Sequence, residues 1–380
     1  MREIDTKNLF RKKVRSLSRS INMVQASMIV LCSVGLLNHV IIIPILLDVA
    51  DRDAWLSAVV AFIPFILWVF LLRWIVKRSG QQPLFEWIES VAGKGIANIH
   101  KLIFSILLLL IAAITIKDTV TWAVASYLPE TPMFALTLLL VSLCYFAARS
   151  GIICIAIMSG ILLPVIVLLG YFVMTANLVN KDYTRLFPVL EFGMGPLLGG
   201  IIHVGAGFAE LMLLLLFQHH IGTRIKWWHL ALLALLITGL TLGPTTGSIA
   251  EFGPVESAKH RYPAFEQWKL VIVQRFIERV DFFSIYQWFA GAFVRVSVAM
   301  FLLTELSPFK GKKSKPIFLV VLSVLLVLIM LLPISDIQFY DWLKYSYLPG
   351  TLVCYLFLTL SLLIVAFFSK KGGSLRDKMG

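Results

Sequence analysis

Four residues of this chain carry charge inside stretches apolar enough to lie in a bilayer: Lys117, Asp118, Glu210 and Arg295. A charge at that depth is costly and rare, so each is a candidate for binding or relay work. Their charges sum to zero, which suits a buried network, whether that network senses a ligand or only fixes helix packing. Arg295 is the hardest to assign to packing, because a guanidinium cannot shed its proton to become neutral. Its candidate partners at similar depth are Glu210, Asp118 and a carboxylate or other polar group of a ligand. Its planar fork of donors suits a carboxylate best. Lys117 and Asp118 are sequence neighbours that point in different directions on a helix, so they cannot fully satisfy each other. His39 and His203 add groups that titrate near neutrality and could relay a proton or bind a ligand. A hydrogen bond to a backbone carbonyl is their plainer role. Gln218-His219-His220 reads as a solvated cluster at a membrane boundary, with metal binding the less favoured alternative.

Glycine marks two of the apolar segments near their middles. One runs through Ser33-Val34-Gly35-Leu36, the other through His203-Val204-Gly205-Ala206-Gly207-Phe208, five segments later. A helix broken inside a bilayer persists only where its freed backbone groups line a cavity or meet a ligand. Paired broken helices in the two halves of a chain point to a transporter-like binding site. Close helix packing is the competing reason for glycine at such places. The ligand-binding set expected from the residues is therefore Gly35, His39, Lys117, Gly205, Gly207, Glu210 and Arg295. The sequence has no P-loop, nucleophile elbow or zinc-ligand spacing. No enzyme activity, catalytic residue, cofactor or metal is expected, and the absence of these motifs argues against an ATP-driven pump within this chain. Cys32, Cys144, Cys154 and Cys354 lie in apolar runs without CxxC spacing and read as inert thiols.

The elements that must position these residues are membrane helices. Of 380 residues, 59% are hydrophobic and 14% charged, against about 25% charged in a soluble domain. Ten spans are expected, near 22–48, 54–76, 100–127, 133–149, 151–178, 196–217, 228–249, 283–304, 316–334 and 347–369, each approaching or exceeding the ~20 residues that cross a bilayer. Of the 34 Lys and Arg, 23 fall in one set of loops and termini and 9 in the opposite set. The positive-inside rule then places both termini in the cytoplasm. The same distribution assigns the net charge of +13 to orientation rather than to nucleic-acid binding. The basic N-terminus leads into a full-length span, so no cleavable signal peptide is expected. Five spans per half make the second half enter the membrane from the opposite face, as an inverted repeat. The expected organisation is a cytoplasmic basic N-terminus (1–20), a ten-helix transmembrane domain (21–369, repeats about 21–178 and 196–369) and a cytoplasmic tail (370–380). The long outer segment 250–282 mixes apolar and charged residues in Phe265-Glu266-Gln267-Trp268-Lys269-Leu270 and Gln274-Arg275-Phe276-Ile277-Glu278-Arg279, the pattern of amphipathic helices lying over the outer face.

A set of short pieces in a fixed order also carries a resemblance. They are Ile41-Ile42-Ile43-Pro44, Arg52-Asp53-Ala54-Trp55, Leu128-Pro129-Glu130-Thr131-Pro132, Leu186-Phe187-Pro188-Val189-Leu190 with Gly193-Met194-Gly195-Pro196, Tyr262-Pro263, and Glu278-Arg279-Val280-Asp281-Phe282 running to Trp288. In this order and spacing the chain resembles the B subunit of spore germinant receptors, the endospore germination permeases. These look like a branch of the amino acid–polyamine–organocation superfamily. The resemblance implies an all-α, LeuT-like 5+5 fold with broken helices 1 and 6, and a place in the spore inner membrane. It implies a germinant of the amino acid, sugar or nucleoside class as ligand, and assembly with an A subunit bearing a large soluble domain and a lipoprotein C subunit. By the same resemblance the pocket would be lined by Gly35, Gly205, Gly207, span 3 near Lys117 and the face of span 8 bearing Arg295. The chain departs from the pattern at Asn38-His39, where a second small residue is frequent, and at Arg295, where a small polar residue is frequent. A proton- or ion-coupled permease for amino acids or amines is the alternative function.

Overall fold

A computed structural model describes residues 20–272, 280–309, 311 and 313–369. The expected basic N-terminal segment, the Gln274–Arg279 stretch and the tail after 369 lie outside the described residues. The rest is helical, and no strand forms among the described residues beyond a single bridge between Ile21 and Ile221. We number the main helices α1 (23–50), α2 (Ala54–Ser79), α3 (Leu84–Ser126), α4 (Met133–Ser150), α5 (Ile152–Ala176), α6 (Met194–His220), α7 (Trp227–Phe252), α8 (Phe283–Leu306), α9 (Ser314–Met330) and α10 (Asp336–Phe368).

Among the described residues eight helical stretches are long and apolar enough to cross a membrane, and α9 is a shorter apolar helix. The chain is a multi-pass membrane protein. The first stretch, Met23–Ser79, has 57 residues. As one straight helix it would be about 85 Å long, far beyond a bilayer core of ~30 Å. It turns instead at Asp51, whose φ is 48°, which separates α1 from α2. A capping box starts α1: Asn22 Oδ1 accepts from Gln25 N at 2.8 Å, and Gln25 Oε1 from Asn22 N at 2.9 Å. Ser335 and Gln338 start α10 in the same way. Helix α3 begins well before the expected residue 100. Residues 84–92 form a helical turn set off by Gly93 (φ 85°). Phe85, Trp87 and Ile88 are buried there while Glu86 and Glu89 are exposed, so an amphipathic segment forms where only a loop was expected.

The two ends of the bundle are tied by different loops. At one end Arg52 pairs with Glu191 at 2.9 Å and donates to Phe187 O, Lys181 meets Glu251 at 3.5 Å, and Lys344 meets Asp48 at 2.6 Å. The short helix Pro263–Lys269 covers this end. Phe265 and Trp268 turn inward while Glu266 and Lys269 pair outward at 2.8 Å, which is the amphipathic covering expected of that segment. At the other end Ile21 N donates to His220 O and Gly222 N to Ile21 O, while Gln218 bonds Ser79 and Gln82 O. Gln218 is fully buried by these bonds, so it is a structural tie between α6 and α2 rather than part of a solvated cluster.

Helices α6 and α8 form the centre, with most of their apolar residues buried, whereas α5 lies at the periphery with few of its own buried. Close approach to α6 is a matter of glycine. A Cβ added at Gly207 would collide with Asn38 Oδ1 and Ile42 Cδ1 of α1, and one at Gly199 would lie 2.7 Å from Val49 Cγ1. Gly35 plays the same part against α7, where an added Cβ would lie 3.0 Å from Leu240 Cδ1, and Gly205 faces Leu352 of α10. The expected unwinding at these glycines does not occur. Residues 33–36 and 203–208 remain α-helical. A helix interior tolerates Gly at about 1 kcal/mol relative to Ala, whereas an unwound turn strands backbone groups that lipid cannot satisfy. The irregularity sits just beyond: a π-turn at Leu37–Ile41 in α1 and a 3₁₀ turn at Glu210–Met212 in α6.

Candidate functional site: a sealed ion pair beneath stacked aromatic rings

The π-turn matters because of the carbonyl it releases. In an α-helix Ser33 O would accept from Leu37 N. Here Leu37 N–H bonds Val34 O, and Ser33 O accepts from Arg295 Nη1 at 2.8 Å. Arg295 Nε donates to Thr115 Oγ1 of α3 at 2.9 Å. Its fork meets Glu210 with Nη1–Oε2 at 2.6 Å and Nη2–Oε1 at 2.8 Å. One guanidinium thus ties α1, α3, α6 and α8 together. The side chains are 0% and 2% exposed, so both ions are out of contact with solvent. Opposite charges in bidentate geometry, with Nε and the second Nη1 hydrogen also engaged, are what make such burial tolerable.

A second irregular carbonyl repeats the device. Helix α10 contains a π-turn, Leu343–Tyr347, in which Leu348 N–H bonds Leu343 O. The next amide that could serve Lys344 O belongs to Pro349, which has no N–H. His203 Nε2 lies 2.9 Å from Lys344 O, and its Nδ1 lies 2.8 Å from Gly199 O. A neutral ring donates to one of these carbonyls at a time; the imidazolium donates to both. We predict that His203→Ala costs about 1–3 kcal/mol by orphaning that carbonyl, and that Pro349→Ala, which restores an N–H, recovers part of it. Thermal melts of both single variants and the double in detergent check this; strictly additive losses would contradict it.

Seven residues before Arg295 on α8 stands Trp288, and seven after Thr115 on α3 stands Trp122. The two indoles stack at 4.1 Å with 9° between planes, about 10 Å from the ion pair along the helices. Tyr262 and Phe265 press edge-on against them at 5.7 and 5.6 Å. Above these rings Arg261 reaches in from its loop to Asp118 Oδ1 (2.9 Å) and Asp336 Oδ2 (3.0 Å), with Tyr262 beneath its guanidinium at 4.5 Å. Burial works against the charge of Arg261, but Asp118, Tyr262 and Asp336 outweigh it and hold the proton more tightly than usual. Burial first, and then Asp118, push the Tyr262 phenol well above its ordinary range. Beside this cover lies a cleft of about 360 Å³ lined by Tyr262, Phe265, Glu266, Lys269 and Asp281. The indole N–H groups of Trp122 and Trp288 and the hydroxyls of Thr119 and Tyr262 are buried without a hydrogen-bond partner among the described residues, as are Ser33 Oγ and Asn38 Oδ1 nearer the ion pair. Unsatisfied buried groups of this kind call for a ligand or water to complete them.

Of the residues expected in the site, Arg295 and Glu210 come together, and Gly207 seats α6 against Asn38 beside them. Gly35 and Gly205 are contact points for α7 and α10. His39 Nδ1 lies 3.0 Å from Leu240 O, the plain backbone role. Lys117 is only partly buried and takes no part in the Arg295 network. Asp118, a candidate partner for Arg295, is occupied by Arg261. Sequence reasoning missed Arg261, Thr115, Trp122 and Trp288; the matched seven-residue steps Thr115–Trp122 and Trp288–Arg295 were the available signal.

The sequence model of a family described as spore germination protein matches residues 20–340. The chain belongs to that family. It is 39% identical over 350 residues to spore germination protein XB of Bacillus anthracis, which covers 92% of this chain and 98% of the relative. It is 23% identical over 259 residues to spore germination protein KB of Bacillus subtilis (strain 168), covering 67% and 69%. It is 24% identical over 276 residues to putative spore germination protein YfkT of the same organism, covering 72% and 75%. As a spore germination protein, the chain has its buried pair and aromatic cover to be explained in terms of germination.

Proposed function

We propose that this chain is the membrane-embedded subunit of a nutrient germinant receptor, and that the Arg295–Glu210 pair is the element on which a small germinant acts. In this reading it sits in the spore inner membrane with both termini cytoplasmic. Ten crossings form a LeuT-like 5+5 inverted repeat, with an A subunit and a lipoprotein C subunit as partners. The family supports the germination role, and the sealed bidentate pair at the α1 π-turn supports the part given to Arg295 and Glu210. The germinant is an amino acid, sugar or nucleoside that enters over the Tyr262 cleft and parts the Trp122–Trp288 stack. Its carboxylate or other polar group then competes with Glu210 for the Arg295 fork. A ligand shifts an equilibrium only by its preference for one state; a ligand group that fits the fork only once Glu210 has moved off it, the freed carboxylate taking up a proton or a new donor, supplies that preference. Spores lacking the chain, tested against a panel of amino acids, sugars and nucleosides, should lose response to one class and regain it on complementation. Unchanged responses to the whole panel, or net uptake of the nutrient by vesicles containing the purified chain alone, would overturn this reading.

A further inference from the structure

Helices α6 and α8 are joined twice. The first junction is Glu210–Arg295. The second lies ten residues further along each helix, at His220 and Glu305, about 15 Å nearer the opposite end of the bundle. There His220 Nε2 lies 2.9 and 3.0 Å from the two Glu305 oxygens, and His219 Nε2 lies 3.7 Å from Oε2. The two imidazole nitrogens and the carboxylate all fall within 4.8 Å of one another. Consecutive residues on a regular helix diverge, but the Gln218–His220 turn is the last of α6, and the backbone becomes extended at Ile221 (φ −84°, ψ 108°). The Gln218 bonds to Ser79 and Gln82 and the Ile21 bond to His220 O fix its backbone. Both rings are thereby aimed at α8, with centroids 4.1 Å apart. The three side chains are about one quarter exposed, which leaves room for a water as a further ligand.

We propose that His219, His220 and Glu305 form a transition-metal site that clamps the ends of α6 and α8, with Zn²⁺ the ion that fits best. Two imidazoles and one carboxylate are the donor set of three-ligand zinc sites with an open position. Bond lengths of 2.0–2.1 Å in a tetrahedron require ligand atoms about 3.3 Å apart, and the observed separations bracket that spacing. Hard Ca²⁺ and Mg²⁺ prefer six or more oxygen ligands and are poorly served here. On binding, the metal takes the place of the hydrogen between His220 Nε2 and Glu305, and the ring proton passes to Nδ1 or to solvent. The clamp would hold together the same two helices whose mid-membrane junction is Arg295–Glu210. The proposal stands on its own residues, and its failure would leave the reading of that pair untouched.

The test uses the full chain, purified in detergent without a polyhistidine tag, stripped with chelator and titrated with Zn²⁺ alone by calorimetry and by thermal melt. The expected result is saturation at one equivalent, a raised melting temperature, no comparable effect of Mg²⁺ or Ca²⁺, and at least a tenfold loss of affinity in Glu305→Gln. His219→Ala serves as a second variant, because it removes a ligand while leaving the His220–Glu305 hydrogen bond to hold the fold. It should show the same loss. Absence of saturable binding in the wild type, or binding that neither variant weakens, would show that His220–Glu305 is an ordinary ion pair.

Discussion

Arg295→Ala is expected to destabilise the protein by about 3–5 kcal/mol, because it leaves the Glu210 carboxyl unpaired and sealed from water. Glu210→Ala should cost a similar amount by stranding the guanidinium, which cannot neutralise itself. Arg295→Lys should be milder: an ammonium keeps the charge but cannot reach Ser33 O, Thr115 Oγ1 and both carboxylate oxygens at once. Replacing both partners by methionine removes the buried charges together. Such swaps are often neutral or stabilising, so the double variant should return to near wild-type abundance. Membrane abundance by immunoblot and melting in detergent measure the series. A double variant as unstable as Arg295→Ala would show that the two residues do not act as a pair.

Gly207→Leu should be strongly damaging. Even a Cβ there meets Asn38 Oδ1 and Ile42 Cδ1 of α1, and these two residues sit in and beside the π-turn that presents Ser33 O to Arg295. Overpacking of this kind costs about 1–3 kcal/mol for one or two added carbons; a whole isobutyl group should separate the helices and disable the response. Gly207→Ala should be intermediate, and Asn38→Ala should partly rescue it by vacating the colliding carbonyl. Thermal melts of the three variants test this. Wild-type stability of Gly207→Leu would mean that α1 and α6 do not meet there. Gly205→Ala, facing only Leu352 at 3.5 Å, should be nearly neutral.

What could be read in the sequence was what depends on residue type and period. Apolar length marked the membrane helices, and amphipathic alternation marked 263–269. Glu210 and Arg295 stood out because buried charge is rare and must be matched. What could not be read depends on contacts between distant parts of the chain. Glycine at 35, 205 and 207 signals small volume, and only the neighbours at Leu240, Leu352 and Asn38 decide whether that volume makes a break or a packing contact. The π-turn lies where a guanidinium 262 positions away claims a carbonyl. Arg261 reaches Asp118 across 143 positions, so Asp118 could not be assigned from its own helix. His219 and His220 looked solvated because Gln218 anchors to α2 and Glu305 approaches from α8, neither of which is local.

The claim that matters most is that the Arg295–Glu210 pair senses the nutrient rather than only holding helices together. The Arg295→Met/Glu210→Met double variant separates these roles, since it keeps the packing volume and removes the fork. Spores carrying it, verified by immunoblot to hold the wild-type level of protein, should be assayed for germination across a concentration series of the nutrient to which the wild type responds. The account predicts spores that are blind to that nutrient and still germinate through other receptors. A wild-type dose–response from those spores would contradict it.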